Sequence, residues 1–194
     1  MVMDKKLYNY YRKNYETYAN LTALRPLSGS YDLVSKYLKS GSRVFDAGTA
    51  SGRDMLHFKG IGCETFGCDL VKEFVDRLKE AGVKNVYMMD FLDVPYEEFF
   101  DLIWMNDFIS QFSFTEYEKV FSKAYDMLKK DGHIFICARS TNSKSVGPAL
   151  SAFDDQSMLR NYISDKFKIV YEDSYMPDNF NENNIWFRYI LKKR

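Results

Sequence analysis

The sequence predicts an α/β protein built on a doubly wound, mostly parallel sheet of seven strands, with helices on both faces. Between about residues 41 and 139, short β-prone segments alternate with amphipathic helical segments, which is typical of parallel strands joined by helices. The last two predicted strands, at about 167–173 and 185–191, follow each other with no room for a helix between them. We therefore expect one strand near the C-terminus to run antiparallel to the others.

Composition and charge limit the classes of function. The chain has 194 residues, and its 27 basic side chains equal its 27 acidic ones. A balanced charge argues against nucleic acid or an anionic membrane as a partner. Three irregularly spaced cysteines, no apolar leader and no run long enough to span a bilayer predict a cytoplasmic protein. No Cys/His cluster has zinc spacing, so we expect no metal, and a monomer or homodimer.

The most informative stretch, residues 42–54, contains an apolar segment, an acidic residue and then a glycine-containing turn. Val44 and Phe45 are β-prone, Asp46 follows them, and Gly48 and Gly52 allow backbone conformations that a Cβ would hinder. A strand that turns sharply into a helix at such a loop is the general layout of a nucleotide-type site.

Together with four later segments, this stretch resembles the first motif of the class I, Rossmann-like S-adenosylmethionine-dependent methyltransferases. The five segments, in the order and spacing of that family, are 44–54 (VFDAGTASGRD), 66–69 (FGCD), 89–93 (MDFLD), 100–106 (FDLIWMN) and 128–136 (LKKDGHIFI). The resemblance covers most of the chain and implies S-adenosyl-L-methionine as the cofactor.

The resemblance also implies roles for the loop after the first strand and for the end of the fourth. Gly48, Thr49 and Gly52 would line the methionine end and the ribose through backbone contacts. Asp46 would support the loop or the cofactor's ammonium group through ordered water. Asn106 would lie near the sulfonium end.

The ends of the second and third strands would hold the nucleoside. By the resemblance, Asp69 would accept hydrogen bonds from both ribose hydroxyls, and Leu70 would pack on the adenine. Asp90 would accept from the adenine amino group, with Phe91 beside the ring. Taken singly, Asp69 reads as a helix cap and Asp90 as a solvated turn residue, but their placement at successive strand ends favours the cofactor site.

Two positions depart from the family pattern. Ala50 replaces the middle glycine of the motif, and the added methyl group either weakens cofactor binding or is harmless, depending on φ at that position. Gln111 occupies the region after the fourth strand where the family often has a histidine. A histidine base, if relatives use one, is therefore absent from this position.

Three side chains are candidates for the acceptor side. Tyr11 and Tyr18 belong to a predicted helix, at about residues 4–19, whose tyrosines share one face. This helix either packs on the sheet or closes over the cofactor as a lid. Arg139, at the exit of the fifth strand, either binds a carboxylate or phosphate of the acceptor or is a solvated charge. Methyl transfer needs a general base only if the attacking atom carries a proton.

We therefore predict a single domain over 1–194, with a helical lid segment (1–40), a cofactor-binding half (41–139) and a substrate-side half (140–194). Its predicted function is methyl transfer from S-adenosyl-L-methionine to a small molecule, because no recognition domain or excess of basic charge is evident. One alternative is a macromolecular acceptor, tRNA or protein, which a basic patch of Lys144, Arg160 and Lys166 around the pocket mouth would favour. The other alternative is a non-catalytic protein with a weakened cofactor site.

Overall fold

The computed structural model describes residues 4–141, 147–163, 165–176 and 185–194. The α-helices over these residues are α1 Lys5–Lys13, α2 Tyr15–Ala23, α3 Ser28–Ser35, α4 Arg53–Gly60, α5 Lys72–Glu80 and α6 Tyr117–Met127. The strands are β1 Arg43–Ala47, β2 Glu64–Asp69, β3 Val86–Met88, β4 Phe100–Asn106, β5 Leu128–Arg139, β6 Phe167–Tyr175 and β7 Trp186–Lys193. Short 3-10 helices lie at Phe91–Asp93, Ile109–Gln111, Phe114–Glu116 and Met158–Asn161.

The strands form one seven-stranded sheet in the order β3-β2-β1-β4-β5-β7-β6. β1 is parallel to both of its neighbours, with Phe45 opposite Phe66 in β2 and opposite Ile103 in β4. β7 is antiparallel to β5 and to β6, so the predicted single reversed strand is confirmed. The strand order reverses between β1 and β4, and in open α/β sheets ligands bind at the carboxyl ends of the strands beside such a point.

Two apolar cores cover the two faces of the sheet, because successive side chains of a strand point to opposite faces. On β4, Leu102 and Trp104 belong to the core that includes α3 and α4, whereas Ile103 and Met105 belong to the core that includes α6. Trp104 is fully buried and stacks on Phe135 with ring centroids 4.0 Å apart. Because both faces are covered, the buried middle of each central strand, at 44–45, 102–105 and 134–138, is a continuous apolar run.

The predicted N-terminal helix is two helices, so the single helix expected over residues 4–19 is wrong. The break lies at Asn14, where the backbone leaves helical geometry (φ −110°, ψ 17°) and the side-chain amide donates to the Tyr10 carbonyl. Both helices nevertheless contribute to one apolar group, which we call the N-terminal cluster: Leu7, Tyr11, Ala19, Val71 and Phe74. This cluster joins α1 and α2 to the start of α5.

A largely buried arginine fixes the end of α2 to the start of α4. The Arg53 Nη1 donates to the carbonyl of Thr22 at 2.7 Å and to that of Arg25 at 3.2 Å. Its remaining nitrogens bind Asp54, which also accepts from the Trp104 indole at 2.9 Å. The N-terminal helices are therefore tied to the same helix that follows the glycine-containing loop.

Two further findings concern the C-terminal part and the surface. Between Asp155 and β6 the described residues form the short 3-10 helix Met158–Asn161, in which Leu159 is fully buried in the core that includes α6. Within the described ranges, no helix is long and apolar enough to cross a membrane, and no group of three or more His, Cys, Asp or Glu side chains is placed to hold a metal ion.

Candidate active site

A cleft of about 720 Å³, including its open mouth, lies at the carboxyl ends of the strands, beside the point between β1 and β4 where the strand order reverses. Residues from the ends of β1, β2 and β4 and from the segment after β3 line one side, and Tyr11 and Tyr18 of α1 and α2 line the other. The predicted site residues that line the cleft are Tyr11, Tyr18, Gly48, Asp69, Leu70, Asp90, Phe91 and Asn106.

The loop between β1 and α4 reaches the cleft through Gly48, at a φ of +74°. A Cβ built there would lie 2.9 Å from the Phe108 ring, so glycine is required sterically as well as conformationally. The backbone N–H groups of Gly48 and Thr49 donate to the Cys68 carbonyl, at 2.9 and 3.1 Å. The N–H groups of these two residues are therefore bound to β2, and the loop contributes close approach at Gly48. Thr49 and Gly52 do not line the cleft.

Ala50, in the same loop, is a non-glycine residue with a positive φ, +41°. Its N–H donates to the Asp69 carboxylate at 3.0 Å, and its methyl group packs against the N-terminal cluster. A non-glycine residue in this region carries a strain of about 1 kcal/mol. The strain is local, and the hydrogen bond to Asp69 shows that the loop keeps its connection to β2.

Asp69 ends β2 with its carboxylate at the cleft. One oxygen accepts from the Ala50 N–H and the other from the Val71 N–H at 2.9 Å, which fixes the plane of the carboxylate. Burial raises the pKa of Asp69 to about 6, and the backbone donors oppose that shift. Each oxygen keeps a second lone pair, so two hydroxyl groups of a ligand can still be accepted.

Asp90 lies just beyond β3 and is also nearly buried. One of its oxygens caps the short helix Phe91–Asp93 by accepting from the Leu92 N–H at 3.0 Å. Leu70 and Phe91 line the cleft between the two aspartates, and Phe91 is 2% exposed. A flat apolar ring with an amino group at its edge matches this combination of apolar walls and carboxylate.

Two buried polar atoms at the end of β1 and in the loop after it find no hydrogen-bond partner among the described residues: Asp46 Oδ2 and Thr49 Oγ1. Burial raises the pKa of Asp46 well above its usual range, and the nearby Asp54 acts in the same direction. Buried polar groups are normally satisfied by protein, water or ligand. Asp46 does not itself line the cleft, so its predicted contact with a cofactor through ordered water stays a prediction.

Tyr11 and Tyr18 meet edge to face at the cleft, with ring centroids 5.0 Å apart. Burial raises the pKa of Tyr11 to about 12, and it raises that of Tyr18 well above its ordinary value. Both phenols are therefore protonated at neutral pH. Their chemistry in the resting protein is that of hydrogen-bonding groups with apolar ring faces, not that of phenolate bases.

Arg139 matches neither sequence-based alternative, since it is 4% exposed and does not line the cleft. Its Nε and Nη2 bind the two oxygens of Asp107 at 2.6 and 2.5 Å, and its Nη1 donates to the Gly147 carbonyl. The guanidinium is thus neither solvated nor free to bind an acceptor anion. Asn106, the last residue of β4, lines the cleft beside this pair.

Sequence reasoning missed the cleft residues that directly follow β4. Asp107, Phe108 and Phe112 line the cleft, and Gln111, noted only as a departure from the family, joins them. Their signal was their place immediately after the strand at the switch point, where ligand-binding residues are expected. Asp107 adopts a φ of +58°, which its identity alone does not reveal.

The residues present fit S-adenosylmethionine. Asp69 offers two carboxylate oxygens to a ribose. Leu70 and Phe91 offer apolar walls, and Asp90 lines the same cleft. This donor set suits the vicinal hydroxyls of a ribose and a flat ring that carries an amino group.

Comparisons with known proteins agree with the geometry. A family model described as "Methyltransferase domain" matches residues 45–136. A curated relative, phosphoethanolamine N-methyltransferase of Plasmodium falciparum, is 27% identical over 138 residues, which is 68% of this chain. The chain spans 50% of the length of that relative.

Solved structures share the fold. The 1,6-didemethyltoxoflavin-N1-methyltransferase of Burkholderia thailandensis, with bound substrate and S-adenosylhomocysteine, matches with a TM-score of 0.78 at 16% identity, over 96% of this chain and 87% of that one. A SAM-dependent methyltransferase of Methanosarcina mazei matches with a TM-score of 0.72 at 16% identity, over 84% and 97%. The family model over residues 45–136, the order of the motifs and the fold support a class I, Rossmann-like S-adenosylmethionine-dependent methyltransferase.

Proposed function

We propose that the chain transfers a methyl group from S-adenosyl-L-methionine to a small molecule bound beside Asn106, Phe108 and Phe112. The observation that carries the proposal is the connection across the cleft. The Gln111 amide donates to the Tyr11 hydroxyl at 3.1 Å, and that hydroxyl donates to the Pro148 carbonyl at 3.2 Å. An acceptor must fit beneath these contacts, which favours a compact molecule.

The cofactor supplies an activated methyl group, so the protein's task is positioning and exclusion of water. Asp69 and Asp90 orient the nucleoside, and Gly48 lets the backbone approach it closely. Tyr11 and Tyr18 present protonated phenols and ring faces to the remaining space. An acceptor whose attacking atom is already unprotonated would need no base from the chain.

The two alternatives receive less support. Arg160 is paired with Glu172, and Lys166 precedes β6, whose amino end lies at the sheet edge opposite the cleft. Lys144 lies outside the described residues. The basic patch proposed for a macromolecular acceptor therefore loses Lys166 from the pocket mouth. A weakened, non-catalytic site finds little support in Ala50, because its N–H still holds Asp69.

The division into a lid segment (1–40), a cofactor-binding half (41–139) and a substrate-side half (140–194) stays part of this proposal. The participation of α1 and α2 in the cleft supports the lid. A cytoplasmic location and a monomeric or homodimeric state also stay predictions.

The test is methyl transfer from isotopically labelled S-adenosylmethionine into a cell extract that has been separated by dialysis into small molecules and macromolecules. We expect label in the small-molecule fraction with the wild type and not with Asp69→Ala. Label in protein or RNA alone would replace this proposal with the macromolecular one. Cofactor binding without transfer to either fraction would favour the non-catalytic alternative.

A further inference from the structure

The Tyr11 hydroxyl is the point where three segments of the chain meet at the cleft. It accepts from the Gln111 amide and donates to the Pro148 carbonyl. A Cβ built on Gly147 would lie 2.9 Å from the same oxygen. Helix α1, the segment after β4 and the segment after β5 are therefore in contact through one phenol group.

Arg139 binds two of these three segments. Its planar guanidinium binds both oxygens of Asp107, in the segment after β4, and the carbonyl of Gly147, in the segment after β5. Asp107 also accepts from the Ser110 hydroxyl at 2.6 Å. Ser110 directly precedes Gln111 in the chain. Both partners of the Tyr11 hydroxyl are thus adjacent in sequence to groups that Arg139 or Asp107 binds.

A buried ion pair is weak evidence of stabilisation, because desolvation offsets most of the Coulombic gain. What the Arg139–Asp107 pair supplies here is a fixed orientation of the groups that it binds. The guanidinium fork satisfies a carboxylate and a carbonyl at fixed angles, which the ammonium group of a lysine does not reproduce.

We propose that Arg139 is a positioning residue for closure of the cleft: by fixing Asp107 and Gly147, it places Gln111 and Pro148 where the Tyr11 hydroxyl binds both. The consequence is a slower release of the cofactor, since Tyr11 lines the same cleft as Asp69. The inference rests on the cofactor site of the proposed function and adds to it a residue that does not touch the ligand.

The experiment measures the dissociation rate of S-adenosylhomocysteine from the full chain by stopped-flow displacement, in wild type, Arg139→Lys, Tyr11→Phe and the double variant. Loss of a hydrogen bond predicts about a three- to tenfold faster release for each single variant. Because both act through the same hydroxyl, we expect Arg139→Lys to add less than about twofold in the Tyr11→Phe background. Tyr8→Phe, one turn earlier on α1, is the matched control and should leave the rate unchanged.

A purely structural role for Arg139 would speed release equally in both backgrounds, and that result would overturn the inference. If Arg139→Lys fails to fold, Gly147→Ala replaces it, because its Cβ meets the Tyr11 oxygen directly. It should speed release in the wild type and have a smaller effect with Tyr11→Phe, and equal effects would again refute the proposal. Wild-type protein that is folded but does not bind S-adenosylhomocysteine would instead refute the cofactor site on which the inference rests.

Discussion

The affinity for S-adenosylhomocysteine should fall as the pH is lowered through about 6, because Asp69 then loses its charge. Burial at the end of β2 raises the pKa of this carboxyl group from 3.8 to about 6. The ionised form accepts hydrogen bonds from the ribose hydroxyls, and such charge-assisted bonds are about twice as strong as neutral ones. Protonation removes that advantage.

The size of the effect follows from the fraction of Asp69 that is ionised. With a pKa of about 6, roughly one tenth is ionised at about pH 5 and nearly all at about pH 7.5. If only the ionised form binds well, the affinity differs by about tenfold, or about 1.4 kcal/mol. Stability of the free protein changes in the opposite direction: for a raised pKa, the contribution is complete below the unfolded value and is lost as the pH rises through about 6.

Isothermal titration calorimetry over this pH range is the assay, with Asp69→Asn as the control that cannot ionise. The wild type should show the tenfold decrease, and the variant should bind weakly at every pH with a flat profile. A wild-type affinity that does not change with pH, or the same slope in Asp69→Asn, would show that Asp69 does not hold the ribose.

Three further predictions concern residues around the site. Ala50→Gly should raise the free energy of unfolding in urea by up to about 1 kcal/mol, because it relieves the positive φ, and should change cofactor affinity less than about threefold; a large gain in affinity would show that alanine has impaired the site. Arg53→Met should cost about 3 kcal/mol in the same assay by leaving Asp54 buried without its cation, whereas Lys72→Met, in an exposed pair, should have no measurable effect; equal losses would contradict this. Burial lowers the pKa of His133 to about 4, so its stabilising contribution is present above about 6.5 and is lost as the pH falls toward 4. His133→Gln should flatten the pH dependence of the unfolding midpoint in that window, and an unchanged curve would refute the assignment.

The sheet and the placement of Asp69 and Asp90 at one cleft could be predicted because their signals are local in sequence. Asp69 and Asp90 each follow a short apolar strand, and parallel strands bring their carboxyl ends to one edge. Gly48 at its positive φ was likewise indicated by its place in a tight strand-to-helix turn.

The acceptor side of the site was harder to predict from the sequence, because it depends on contacts between residues that are distant in the chain. Arg139 reaches Asp107 only through the β4–β5 pairing, in which Asn106 lies opposite Cys137. Sequence reasoning left the charge of Arg139 either bound to acceptor or solvated, since nothing near it in sequence indicated a buried carboxylate. In the same way, the tyrosine spacing predicted a shared face but not the helix break at Asn14.

The most direct test of the account is a crystal structure of the protein with S-adenosylhomocysteine. We predict that the ribose hydroxyls lie within hydrogen-bond distance of the Asp69 carboxylate. The adenine should lie between Leu70 and Phe91, with its amino group at Asp90. Density for the ligand at another place, or a ribose turned away from Asp69, would contradict the cofactor site and the function proposed from it.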